Sequence, residues 1–175
     1  MKRYWLTIAF SGVVAACSAT ILQDNQWRSG VPGSFQHAAI GPVPTVISGN
    51  PFAAPDPIIA QVIADVSAGT YGGAPATFAP SSATTGPRIV WDLSPGDAQT
   101  GHALCAKPLR PAATMPPPAT NRVMGAFCSD VTVLADVTIR LAEAPSGPDD
   151  PVWLQAFPTG LRAMIPWLDP FEDLD

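Results

Sequence analysis

From Val131 to Leu141 the side chains alternate without a break. Val131, Val133, Ala135, Val137, Ile139 and Leu141 are interleaved with Thr132, Leu134, Asp136, Thr138 and Arg140. A period of two puts the first set on one side of a strand and the second set on the other. One side is apolar and the other mostly polar, the pattern of a half-buried strand in an antiparallel sheet. We read this strand as Val131 to Glu143, paired with Arg122 to Cys128 through a turn at Ser129-Asp130. Its apolar side must be covered, and that requirement limits the rest of the fold.

Two helices are the candidates for the cover. Asp56-Pro57 opens the first, with Asp56 as N-cap and Pro57 at the first helical position. Ile59, Val62, Ile63 and Val66 fall on one face, Gln61 and Asp65 lie opposite, and Gly69 is a natural stop. Asp149-Asp150-Pro151 opens the second, with acidic residues at its positive end. Its stripe is Trp153, Phe157, Leu161, Met164 and Leu168, and Pro166 ends it. Pro158 and Gly160 interrupt the stripe. An interior proline costs ~3 kcal/mol or more, so a kink or two short helices are expected.

Val43 to Ser48 reads as a strand ended by Gly49-Asn50-Pro51. Arg88 to Leu93 reads as another, with Ile89, Trp91 and Leu93 on one face and a turn at Ser94-Pro95-Gly96-Asp97. Tyr71 to Gly86 and Gln99 to Thr120 read as irregular. The order is strand, helix, strand, strand, strand, helix. The expected fold is α+β: a two-layer domain with an antiparallel-rich sheet of about four strands and both helices on one face. The 21 prolines among 175 residues fit long irregular connections.

The N-terminus carries a different kind of signal. Lys2 and Arg3 precede an apolar run from Tyr4 to Val14, too short for a membrane span of ~20 residues. Val14-Ala15-Ala16-Cys17 follows, and it resembles the bacterial lipobox: branched aliphatic, small, small, Cys. The resemblance implies that Cys17 receives a diacylglycerol, becomes the first residue of the mature chain and is usually acylated at its new amine. Two other readings stay open: a secretory signal cut near Ala16 or Ala19, and an uncleaved anchor. Two or more acyl chains anchor a protein stably. Ser18, where enterobacterial inner-membrane lipoproteins carry Asp, resembles the outer-membrane sorting pattern.

Charge and cysteine count bear on the same picture. Formal net charge is -5, and loss of Lys2 and Arg3 takes the mature chain to -7. The remaining basic residues are scattered, which argues against nucleic acid as a partner. Three cysteines are odd for an exported protein, and lipidation of Cys17 leaves Cys105 and Cys128. An oxidising periplasm favours their disulfide, worth roughly 3 kcal/mol by loop closure, which would tether the stretch Pro108 to Pro118. Two buried free thiols are the alternative. Neither cysteine has a second Cys or a His at metal-ligand spacing.

The expected organisation is a signal peptide over 1–16, a lipidated Cys and flexible tether over 17–42, a domain over 43–168 and an acidic tail over 169–175. As a coil, the tether would span about 25–30 Å. Trp27 and Phe35 could dock on the domain or dip into the membrane interface.

Gly49-Asn50-Pro51-Phe52 after a strand, Leu104-Cys105, and Ala126-Phe127-Cys128 before a long strand are similar to small uncharacterised lipoproteins of alphaproteobacteria. The resemblance covers most of 43–165. It implies no established activity and no functional residues.

No catalytic constellation emerges. A hydrolase needs a nucleophile, a base and an orienting acid. The histidine bases on offer are His37, in the expected tether, and His102, near Ser94, Asp97 and Cys105. Gly69-Thr70-Tyr71-Gly72-Gly73 follows a helix and lacks the P-loop Lys, so a helix stop and turn explains it better. Asp149 with Asp150, and Glu172 with Asp173, could bind calcium, but adjacent acids at a helix start usually cap it. Trp91, Trp153 and Trp167 read first as core aromatics. The expected function is a non-enzymatic, periplasm-facing envelope lipoprotein that binds a protein partner, with no cofactor or metal. A carrier of a small or apolar ligand between sheet and helices is the alternative, and a periplasmic hydrolase is third.

Overall fold

The structure, a computed structural model, describes residues 26–27, 30–95, 99–106 and 119–166. The expected signal, Cys17, the turn at Gly96-Asp97, the stretch Pro108 to Pro118, Trp167, Leu168 and the acidic tail lie outside them.

The fold is α+β, with a mixed sheet in place of an antiparallel-rich one. Its strands are β1 (Gln26–Trp27), β2 (Val43–Ser48), β5 (Phe78–Pro80), β6 (Pro87–Asp92), β7 (Arg122–Ser129) and β8 (Thr132–Arg140). They lie in the order β1-β8-β7-β6-β2-β5. β2 runs parallel to both β5 and β6, whereas β6, β7, β8 and β1 are successively antiparallel. The parallel pairing has a simple cause. A helix between β2 and β6 carries the chain back to the starting end, so the next strand runs the same way.

That helix is α2 (Asp56–Ser67). Its Ile59 and Ile63 are buried as the spacing requires, but its ends differ from expectation. Pro55 takes the cap position without a side-chain cap, and Asp56 instead accepts from Asn50 Nδ2 at 2.8 Å. At the other end Gly69 does not serve as a left-handed stop. It begins β3 (Gly69–Tyr71), and the Tyr71 hydroxyl donates to Ser67 O at 2.6 Å, filling one of the carbonyls a helix end leaves open. β3 pairs with β4 (Ala74–Ala76) in a hairpin, where the pattern from Tyr71 to Gly86 predicts irregular chain. Its turn is Gly72-Gly73, with φ of 53° and 83°, the positive pair that a tight two-residue hairpin needs.

α4 (Pro151–Met164) is one continuous helix through Pro158, which removes the expected alternative of two short helices. The Thr159 hydroxyl donates to Gln155 O at 2.7 Å, serving a carbonyl on the turn that proline disturbs. Pro158 is buried, so its ring also contributes to packing. Asp150 caps the helix, accepting from Val152 N at 2.9 Å and Trp153 N at 3.3 Å. Ser146 donates to the other carboxylate oxygen through both its amide and its hydroxyl. These bonds, led by the Ser146 amide, hold the Asp150 carboxyl below its ordinary pKa.

α2 and α4 cover the same face of the sheet, as expected, and a third helix joins them. α1 (Val31–Ala38) buries Val31, Pro32 and Phe35. Phe35 meets Tyr71, Phe78 and Phe127, so the packed body starts well before residue 43 and the second half of the expected tether belongs to it. The large core beneath these helices includes Trp91, Trp153 and Phe157, stacked edge to face. Gly125 and Gly160 exist to admit Trp91: a Cβ at Gly125 would lie 2.2 Å from the indole, and one at Gly160 2.9 Å.

A fourth helix, α3 (Gly101–Ala106), packs on the opposite face. It covers a smaller cluster of Val46, Val90, Leu104, Cys105, Met124, Ala126 and Cys128. The expected two layers are therefore three over part of the sheet.

The alternation in β8 holds only in part. Ala135, Val137, Ile139 and Leu141 lie in the large core. Phe127 pairs with Ala135 while Cys128 pairs with Val133, which leaves Leu134 as the extra residue of a bulge. Beyond it the faces exchange: Val133 packs with the small cluster and Leu134 with the large one. Val131 is exposed in the turn.

Candidate functional site

β2 and β6 are adjacent and parallel, yet their outgoing connections diverge. β2 leads to α2 on one face, and β6 leads to α3 on the other. The carboxyl ends of two such strands form a topological switch point, where open sheets containing parallel strands most often hold ligands. On the α3 face the register sets Ser48, Asp92, Met124 and Thr138 in one row across four strands. Arg122 and Arg140 stand directly opposite each other one step further on.

Asp92 is the most constrained member of this row. It is 2% exposed and accepts from Ser94 N at 3.2 Å through Oδ1. A Cβ on Gly49 would fall 2.3 Å from that oxygen, and Gly49 has φ of 63°. Glycine is therefore required there for both space and conformation. Nearby, Asn50 Oδ1 accepts from Phe52 N at 2.9 Å and its Nδ2 donates to Ala54 O, fixing the loop into α2. The carboxylate is an acceptor bound into the turn after β6, and the row sets Ser48 on one side of it and Met124 on the other.

The other end of the same face is a covalent and hydrogen-bonded clamp. Cys105 and Cys128 form the disulfide that the cysteine count predicts, with Cα atoms 5.6 Å apart. Arg88, 2% exposed, donates to Cys105 O at 3.0 Å and Gly86 O at 3.1 Å. Its charge sits at the C-terminal end of α3, the favourable end for a cation. Burial pulls the Arg88 pKa down and the charge of Asp130 pushes back. Asp130, at φ of 53°, closes the group by accepting from Gly86 N at 2.8 Å.

The remaining sequence candidates are dispersed. His37 lies exposed on α1 and His102 exposed on α3, on opposite faces of the sheet. Cys105 is committed to the disulfide. Asp97, Glu172 and Asp173 lie outside the described residues. Asp150 is a helix cap, and Trp91 and Trp153 are core residues. Among the described residues no three His, Cys, Asp or Glu side chains cluster to hold a metal, and no helix is long and apolar enough to cross a membrane. Sequence reading passed over Arg88 and Asp92 because a charged residue in an alternating strand reads as solvent-facing. The chain matches no protein family, no curated protein and no solved structure.

Proposed function

We propose that this protein is a lipid-anchored, periplasm-facing envelope lipoprotein that binds a protein partner, held at the outer membrane by Cys17. One observation carries the reading: the Cys105–Cys128 bond accounts for two of three cysteines and leaves Cys17 at the lipobox. A disulfide that closes a clamp on the fold belongs in an oxidising compartment, which agrees with export.

The partner-binding part is supported by the two sheet edges. β5 is short and ends in Pro80, a blunted edge. β8 runs from Thr132 to Arg140, and among the described residues only Ala135 and Asp136 are paired on its outer side, by β1. Strand addition to Val137 to Arg140, the part of β8 beyond its pairing with β1, is the recognition mode such an edge offers. The layer between the sheet and helices α1, α2 and α4 is filled by Phe35, Phe127, Trp91, Trp153 and Phe157, all essentially inaccessible, which favours a protein partner over a ligand in that layer.

Mass spectrometry of the native mature protein tests the anchor. The expected result is a chain starting at Cys17 with an acyl mass and one disulfide. A different start residue or an unmodified Cys17 refutes it. Photocrosslinking from Thr132 and Thr138 tests the edge. Adducts from these positions that are absent from Gln61, on the exposed side of α2, are expected, and equal capture from all three refutes an edge site.

A further inference from the structure

We infer that the domain is held on a short leash, and that its partner belongs to the surface of the same membrane. The inference rests on acylation of Cys17 and on where the packed body begins. β1 pairs Gln26 with Asp136 and Trp27 with Ala135, and α1 follows with Val31 and Phe35 in the core. Residues 18–25 are then the whole connection between the anchor and the sheet. A chain extends at most ~3.3–3.6 Å per residue, so Cys17 lies within about 32 Å of β1 and about 37 Å of the middle of β8 whatever path the connection takes. A tether continuing to residue 42 would have allowed nearly three times that contour length.

The body adds little reach. A folded chain of about 140 residues has a radius of gyration of ~14 Å and a diameter of roughly 36 Å. Its farthest surface therefore stays within roughly 65–70 Å of the headgroups. β8, the strand that receives β1, lies at the edge closest to the anchor, and β5 lies four strand spacings from β8, about 19 Å. The leash keeps that edge near the bilayer, which favours as strand donor a protein embedded in, or lipid-anchored to, the same membrane.

The test is neutron reflectometry of the full-length acylated protein on a supported bilayer, with acylation first verified by mass. Protein density that begins at the headgroups and ends by about 70 Å is expected. Density centred beyond about 50 Å from the headgroups overturns the short leash. Absence of the acyl mass instead refutes the anchoring reading, so the two failures are distinct. In cells, adducts from Thr138 should contain proteins of the anchoring membrane. Adducts only with soluble periplasmic proteins, or with proteins of the opposite membrane, would overturn the inference.

Discussion

Replacing both Cys105 and Cys128 by Ala should destabilise the protein and free one helix in particular. The disulfide joins residues 23 apart in sequence. Closing a loop of that size removes about 11.6 cal/mol/K from the unfolded chain, or roughly 3.4 kcal/mol at 25 °C. For a domain of this size each kcal/mol moves Tm by roughly 3–4 °C, so a fall of about 10–14 °C is expected. The loss should not be spread evenly. α3 is left with Gly101 against Asp136, Leu104 in the small cluster and the bond from Arg88 to Cys105 O, whereas β7 and β8 remain paired along their length under the large core. Amide exchange at Leu104, whose N–H bonds Thr100 O at 3.1 Å, should therefore quicken far more than exchange in the β7–β8 ladder. Thermal melting by circular dichroism and hydrogen exchange read the two effects. A Tm change under 4 °C, or equal loss of protection in α3 and β8 under native conditions, would refute the reasoning.

Two further substitutions test the packing and capping. Gly125→Ala drives a Cβ into the ring of Trp91, which also meets Phe157 edge to face and lies close against Gly160, and should cost about 1–3 kcal/mol or more. Gly33→Ala in α1 meets nothing within 4 Å and should instead stabilise by up to ~1 kcal/mol, so similar melting of the two variants would sink the packing account. Asp150→Ala removes the α4 cap and should cost about 1 kcal/mol. Because the folded pKa is depressed, this contribution is fully present above the ordinary carboxylate pKa of ~3.9 and fades as pH falls through the lower folded value. The Tm gap between wild type and variant should therefore close in acid, and a gap constant from pH 7 to pH 2 would contradict the assignment.

Local pattern alone determined a good deal of this protein. The bounds of β2, the place of β6 to within one residue, the burial of Ile59 and Ile63 in α2 and of the α4 stripe from Trp153 to Met164, the Asp150 cap of α4 and the Cys105–Cys128 pair follow from periodicity, capping chemistry and cysteine arithmetic, which act over a few residues or by simple count. Tertiary structure alone decided the parallel pairing of β2 with β5 and β6, the bulge at Leu134 and the second layer under α3. The first depends on which elements meet across long separations. The second depends on fitting Val133 and Leu134 to opposite faces, an exchange that an unbroken alternation conceals. Arg88 and Asp92 are buried because α3 and Gly49 close over them, and no property of β6 by itself records that cover. α1 falls inside the stretch expected as a tether, because a helix this short is stable only when the core accepts Phe35.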